Sequence, residues 1–141
     1  MMIEFYSRPE NESFARSAVS AFIAYLDPTI EELTEIKTAV SEAVSNAVIH
    51  GYPDKPDGKI TVECNTGDAR RVVIIVSDEG VGIENIEKAK EPMFTTGKPD
   101  ERSGMGFTVM ESFMDKIEVE SKKGQGTRVT MLKILDLGYE L

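Results

Sequence analysis

The segment from Val72 to Val76 constrains the fold most, because it reads Val-Val-Ile-Ile-Val and is apolar at every position. Five β-branched residues in a row favour a strand, and the absence of alternation indicates that both of its faces are covered. The run is far shorter than the roughly 18 apolar residues needed to cross a membrane. The sequence therefore predicts a strand at the centre of a sheet.

Around this strand the sequence predicts the element order β-α-α-β-β-α-β-β. The predicted segments are a strand over 2–7, helices from 11 to about 26 and from 28 to about 49, strands over 59–65 and 71–77, a helix over 107–114, and strands over 117–121 and 127–135. Runs of helices and runs of strands without regular β-α-β alternation favour a two-layer α+β sandwich. We therefore expect a single domain over residues 1–141, with a mixed, mostly antiparallel sheet packed on helices.

The two N-terminal helices carry start signals and a candidate core face. Asn11 is the expected N-cap of the first helix. Apolar residues that recur at helical spacing are predicted to face the core: Phe14, Ala18, Ala21, Phe22 and Tyr25. Pro28 suits the start of the second helix, and Thr29 followed by Glu32 fits a capping box.

Charge and composition exclude several classes of function. The 16 basic and 25 acidic residues give a net charge of −9, which repels the phosphates of nucleic acid, so no direct nucleic-acid partner is expected. Cys64 is the only cysteine, which excludes an internal disulfide and a thiolate zinc cage and favours the cytoplasm. Residues 1–7 hold no targeting signal, so neither export nor a membrane partner is expected.

A polar stripe marks the second helix. Glu42, Asn46 and His50 follow one another at intervals of four residues and therefore share one helix face. By itself such spacing is more typical of a solvated helix face than of a site. His50 is the only histidine, which excludes mechanisms that require two.

Glycine is concentrated between residues 80 and 126, where seven of the eleven glycines occur. Asp78 follows the central strand and precedes Gly80 and Gly82, so a carboxylate lies beside backbone that a flat ligand can approach. The segment 103–107 opens a helix whose free N–H groups suit a phosphate. Neither cluster matches the dinucleotide or Walker fingerprints.

Four motifs occur in order along the chain: Glu42-x-x-x-Asn46-x-x-x-His50, Asp78-x-Gly80-x-Gly82, Gly104-x-Gly106 and Gly124-x-Gly126-Thr127. Together they resemble the GHKL (Bergerat) ATP-binding fold shared by gyrase, histidine kinases, the large heat-shock chaperone and MutL. The resemblance covers almost the whole chain. More narrowly, residues 42–51 and 92–107 are similar to the anti-sigma F family of sporulation serine kinases, with the anti-sigma B kinases as near relatives.

The resemblance implies a role for each motif residue. Glu42 would be the catalytic base and Asn46 the protein ligand of Mg²⁺, with ATP as the nucleotide. Asp78 would accept a hydrogen bond from the adenine amino group, with Gly80 and Gly82 keeping side chains away from the base. The residues from about 84 to 103 would form a lid. The other ATP-binding residues implied are Thr95, Thr96, Lys98 and Arg102 near the γ-phosphate, Ser103, Gly104, Met105 and Gly106 at the phosphates, and Thr127 at the adenine end.

The resemblance also implies partners. It predicts binding to a sigma factor of the sigma F type, an anti-anti-sigma protein as phosphorylation substrate, and a homodimer. The strand over 1–7 and the helix containing Arg16 would contribute to these surfaces, although a solvated Arg16 is equally compatible with the sequence. Two other functions remain open: a histidine-kinase-like module acting in trans, and a nucleotide-dependent binding module without catalysis.

Overall fold

The computed structural model describes residues 1–90 and 106–136. Its elements are β1 (Met2–Tyr6), α1 (Asn11–Ile23), α2 (Ile30–Asn46), β2 (Lys59–Gly67), β3 (Arg71–Asp78), α3 (Ile86–Ala89), α4 (Gly106–Phe113), β4 (Lys116–Ser121) and β5 (Thr127–Ile134). The predicted order is confirmed, with the four-residue helix α3 in addition. None of the helices within the described ranges is long and apolar enough to cross a membrane.

The five strands form one sheet in the order β1-β2-β3-β5-β4, and each neighbouring pair is antiparallel. This confirms the predicted α+β class and places β3 in the middle of the sheet. Val72, Ile74 and Val76 are buried on the face that packs on the helices. Val73 and Ile75 point to the opposite face and are half-buried, so the apolar run reflects one fully buried face and one that is only partly shielded.

The core face of α1 differs from the predicted one by a single position. Ala15, Val19 and Ile23 are fully buried, whereas the side chains of Phe14 and Tyr25 are 51% and 68% exposed. Alanine-rich sequence offers two adjacent apolar stripes on this helix, and periodicity alone does not decide which of them packs on α2 and the sheet.

Of the two predicted helix caps, that of α2 is confirmed and that of α1 is wrong. The predicted capping box of α2 is present, because the Thr29 hydroxyl accepts the Glu32 N–H at 3.0 Å and the Glu32 carboxylate accepts the Thr29 N–H at 2.9 Å. The prediction of Asn11 as N-cap of α1 is wrong. Asn11 is already the first helical residue, and its Nδ2 donates to the Tyr6 carbonyl at 2.8 Å, which ties the helix to β1 instead of capping it.

The end of α2 is the feature of the fold that most affects the site. Regular α-helix stops at Asn46, and residues Ala47–Gly51 form one π-helical turn in which the Tyr52 N–H donates to the Ala47 carbonyl at 3.1 Å. Such turns are frequent at functional sites, because they redirect side chains and backbone groups. Here the turn brings the Gly51 carbonyl against the loop that follows β3.

Candidate functional site

A cleft of about 1300 Å³ lies between the C-terminal end of α2, the end of β3 and the start of β5. Five residues predicted for the site line it together, although they are widely separated in the sequence: Asn46, Asp78, Gly82, Gly106 and Thr127. His50 also lines it. The cleft is large enough for a nucleotide, because small-molecule sites span roughly 300–1,000 Å³.

Asn46 and the first residue of α4 form one end of the cleft. A Cβ placed on Gly106 would lie 2.8 Å from Asn46 Nδ2 and 3.2 Å from its Oδ1, so a larger residue here would displace the Asn46 amide. The N-terminus of a helix attracts anions through its free N–H groups and its dipole. An amide oxygen beside it is a suitable hard ligand for Mg²⁺ bound to phosphates.

Asp78 forms the other end. Its Oδ1 accepts the Gly80 N–H at 2.9 Å, and its carboxyl group lies against Gly51, where a Cβ would meet Oδ1 at 3.0 Å. Burial raises the pKa of the Asp78 carboxyl, and the backbone N–H groups of Gly80 and Thr127 oppose this rise. Asp78 is thus a largely desolvated hydrogen-bond acceptor, and an amino group of a bound ligand can donate to it.

Gly80 is required by close packing of backbone on backbone. A Cβ on Gly80 would overlap the Gly51 carbonyl, and the adjacent Val81 N–H donates to that same carbonyl at 2.9 Å. Gly80 is not among the residues that line the cleft. The structure therefore explains this glycine by the contact between the π-turn and the loop after β3, and the predicted direct role beside the base stays a prediction.

Gly82 and Gly126 join the same loop to the turn between β4 and β5. Both have positive φ angles, +74° and +85°. A Cβ on Gly82 would overlap the Lys122 carbonyl, and a Cβ on Gly126 would overlap the Asp78 carbonyl. Because three backbones meet this closely, the glycine motifs after β3 and before β5 are one structural unit at the Asp78 end of the cleft.

Hydroxyl groups complete this unit. Ser121 Oγ donates to the Gly126 carbonyl at 2.8 Å, accepts the Ile83 N–H at 2.7 Å and lies 2.8 Å from Thr127 Oγ1. Thr127 lines the cleft, and its hydroxyl is in contact with that of Ser121. Ser121 was not predicted as part of the site, because a serine near the end of a strand carries no sequence signal.

Glu42 and Arg16 lie outside the cleft, in a separate depression of about 290 Å³ between α1 and α2. The depression is lined by polar side chains: Glu12, Arg16, Thr34, Lys37, Thr38, Ser41 and Glu42. Arg16 Nη1 lies 3.5 Å from Glu12 Oε1 and 3.4 Å from Ser41 Oγ. Since Glu42 and Asn46 are one turn apart on α2, the depression and the cleft lie next to each other along a single stripe.

Many of the residues that are predicted to contact the phosphates lie outside the described residues. This holds for most of the predicted lid and for seven of the predicted ATP-binding residues: Thr95, Thr96, Lys98, Arg102, Ser103, Gly104 and Met105. Among the residues that the structure describes, Lys55, Lys88 and Lys123 also line the cleft. Asp54, Asp78 and Glu84 line it as well, so the lining carries charges of both signs.

An antiparallel sheet backed by helices, with a cleft between the end of its long helix and glycine-rich turns, is the arrangement of a kinase-like ATP-binding domain. A family model described as a histidine kinase-like ATPase domain matches residues 5–133. The domain is therefore of the kinase-like ATPase class, and the cleft is its candidate site.

Two relatives that align with most of this chain narrow the class of ATPase domain to which it belongs. A protein of Clostridium beijerinckii named Anti-sigma F factor is 56% identical over 133 residues, which cover 94% of this chain and 92% of that protein. A protein of Clostridium novyi with the same name is 54% identical over 135 residues, covering 96% and 94% of the two chains. The chain belongs to the anti-sigma F factor family of histidine kinase-like ATPase domains.

A solved structure agrees on the fold. The crystal structure of the RsbU and RsbW domains of a Mycobacterium tuberculosis protein matches with a TM-score of 0.66 and 16% identity, covering 96% of this chain and 32% of that chain. At this level of identity the likeness concerns the fold alone.

Proposed function

We propose that this chain is an anti-sigma factor of the sigma F type that also acts as a serine kinase on an anti-anti-sigma protein, using ATP and Mg²⁺. The observation that carries the proposal is the adjacency of the ATP cleft to the depression that holds Glu42 and Arg16. The names of the full-length relatives support the sigma factor as partner.

In the proposed complex, the cleft residues hold the nucleotide by its two ends. Asp78 accepts a hydrogen bond from the adenine amino group, with Gly82 and Thr127 beside the base. At the other end, the N-terminus of α4 at Gly106 faces the phosphates, and Asn46 supplies an amide oxygen to Mg²⁺. Among residues 1–90 and 106–136 no group of three or more acidic, histidine or cysteine side chains is clustered for a metal. In the proposed complex, phosphate oxygens and waters would supply the other Mg²⁺ ligands.

Glu42 is proposed to act on the protein substrate. Its carboxylate takes the proton of the substrate serine hydroxyl as the bond between the serine oxygen and the γ-phosphorus forms. The bond from that phosphorus to the bridging oxygen breaks at the same time, and its electron pair stays with the β-phosphate of ADP. One helical turn, about 6 Å along the axis of α2, separates Glu42 from Asn46, so the base lies on the substrate side of the metal.

The depression supplies a route for the substrate. A serine side chain that enters between α1 and α2 comes to Glu42, one helical turn from the Asn46 end of the cleft, where its oxygen would meet the γ-phosphate. Arg16 lines the same depression and is one-third exposed, so it is available to a partner surface while it contacts Glu12. We propose that the sigma factor and the substrate both use Arg16, and that the strand over 1–7 together with α1 contributes to a homodimer.

The reaction is tested with labelled ATP, Mg²⁺ and a purified anti-anti-sigma protein. The expected product carries phosphate that survives acid and is released by alkali, as phosphoserine does. Acid-labile phosphate on the substrate would instead indicate a histidine-kinase-like transfer. Binding of ATP with no transfer at all would leave a nucleotide-dependent binding module.

Replacement of Arg16 by alanine is expected to weaken capture of the anti-anti-sigma protein and of the sigma factor about tenfold, because an interface loses a charged anchor. Surface plasmon resonance with each partner measures this. Arg71→Ala is the matched control, since Arg71 is exposed at the start of β3, away from the depression. Unchanged affinity for both partners would show that Arg16 is a solvated side chain.

A further inference from the structure

Tyr52 is a buried polar side chain to which the proposed chemistry gives no role. It follows the π-turn at the end of α2, is 8% exposed and lines the cleft. Its ring packs on Gly58, where a Cβ would overlap the ring. Its hydroxyl donates to the Lys59 carbonyl at 2.7 Å and accepts the Glu79 N–H at 2.7 Å.

The strand register shows what this hydroxyl replaces. The last pair between β2 and β3 is Ile60 with Asp78, so Lys59 and Glu79 would be the next pair. Cys64 exchanges backbone hydrogen bonds with Met1 on the β1 side. The backbone hydrogen bonds of an inner strand alternate between its two neighbours. The backbone N–H and C=O groups of odd-numbered β2 residues, including Lys59, are therefore directed towards β3. The phenol therefore stands where a direct Glu79-to-Lys59 hydrogen bond would continue the sheet.

The Tyr52 hydroxyl lies where the loop after β3 leaves the sheet. Three successive N–H groups leave the sheet for other acceptors: Glu79 donates to the Tyr52 hydroxyl, Gly80 to the Asp78 carboxylate and Val81 to the Gly51 carbonyl. The β2–β3 pairing thus ends at Asp78, and the chain turns there towards the cleft. This turn sets the direction in which the Asp78 carboxyl group is held.

We propose that Tyr52 is a positioning residue for the base of the bound nucleotide: its hydroxyl wedges Lys59 and Glu79 apart and so holds Asp78 in place to receive the amino group of adenine. The inference rests on the proposed binding of adenine by Asp78. Burial raises the pKa of the Tyr52 phenol, and the nearby charges of Asp78 and Glu79 add to the rise, so the hydroxyl keeps the proton that it donates to Lys59.

Tyr52→Phe removes the wedge and keeps the ring. Without the hydroxyl, the Glu79 N–H either pairs with the Lys59 carbonyl directly or takes up water, and both outcomes shift Asp78. We expect the dissociation constant for Mg-ADP, measured by calorimetry, to rise about 5- to 20-fold. Tyr25→Phe is the matched control, because it deletes a hydroxyl that is bonded to Thr66 at 2.6 Å, away from the cleft. Its affinity for Mg-ADP is expected to match that of the wild type.

A double-mutant cycle separates positioning from a general structural role. If Tyr52 acts through Asp78, Tyr52→Phe should change the Mg-ADP affinity less than twofold in a chain that already carries Asp78→Asn. Additive losses, or an unchanged affinity of Tyr52→Phe itself, would overturn the inference while leaving the adenine site intact. No effect of Asp78→Asn on Mg-ADP binding would overturn the adenine site, and the inference with it.

Hydrogen exchange of the wild-type chain tests the same contact without any substitution that could impair folding. The Glu79 amide lies beyond the last strand pair, yet it is bonded to a buried hydroxyl. Hydrogen exchange followed by NMR should therefore find it protected to the same degree as the amides of β3. Exchange as fast as that of an exposed loop amide would contradict the wedge.

Discussion

Replacing Glu42 by glutamine is expected to lower the rate of phosphoryl transfer to the anti-anti-sigma protein by about 10²- to 10⁴-fold. The amide keeps the size of the side chain but cannot take the serine proton. Because Glu42 lines the depression and not the nucleotide cleft, the affinity for Mg-ADP should stay within about twofold of the wild type. Rapid-quench kinetics and calorimetry measure the two quantities.

Glu31→Gln is the matched control for this experiment, since Glu31 lies in the first turn of α2 and is exposed. It should leave transfer unchanged. If Glu42→Gln retains the wild-type transfer rate, Glu42 is not the base. If it instead weakens Mg-ADP binding about as much as it slows transfer, its role belongs to the nucleotide site.

Asp78→Asn is expected to weaken Mg-ADP binding about 10- to 100-fold, the range for losing a hydrogen bond to a charged, desolvated acceptor. In the variant, the amide oxygen still accepts the Gly80 N–H, so the NH₂ group faces the adenine amino group and two donors oppose each other. Calorimetry at several ADP concentrations measures the loss. An unchanged dissociation constant would remove Asp78 from the adenine site.

The same variant should stabilise the ligand-free chain. Burial raises the folded-state pKa of Asp78 above its ordinary value of 3.8. The folded state therefore binds the Asp78 proton more tightly than the unfolded state does, and the resulting stability is present below pH 3.8 and lost as the pH rises through the folded-state pKa. At pH 7 we expect a Tm about 2–4 °C above that of the wild type, a gain that disappears below pH 3.8. A lower Tm at pH 7 would contradict this account.

Much of the fold follows from local sequence signals. The β-branched run predicted the central strand, and Thr29 with Glu32 predicted the start of α2, because these signals act within a few residues. The core face of α1 was mispredicted, since Phe14 and Ala15 both belong to apolar stripes and only tertiary packing decides between them. The sheet order places β5 between β3 and β4, a choice that depends on long-range pairing without a local signal.

The candidate site also combines residues that the sequence predicted with features that only the structure shows. Asn46, Asp78 and Thr127 were predicted by motif resemblance, and the fold brings them to one cleft. The π-turn was not predicted, because no residue over 47–51 signals that the Tyr52 N–H bonds to the Ala47 carbonyl, five residues earlier, instead of four. Tyr52 was missed for a related reason: its hydroxyl acts on Lys59 and Glu79, and only the strand register reveals that the two would otherwise pair.

The most direct test of the central claim is an NMR titration of the ¹⁵N-labelled chain with Mg²⁺ and a non-hydrolysable ATP analogue. We predict saturable binding with the largest amide shifts at Asn46, Gly80, Gly82, Gly106 and Thr127. Amides of residues on the outer sheet face away from the cleft, such as Lys116 and Glu118, should change little. The absence of saturable binding, or shifts concentrated on that outer face, would contradict the ATP-binding cleft on which the proposed kinase depends.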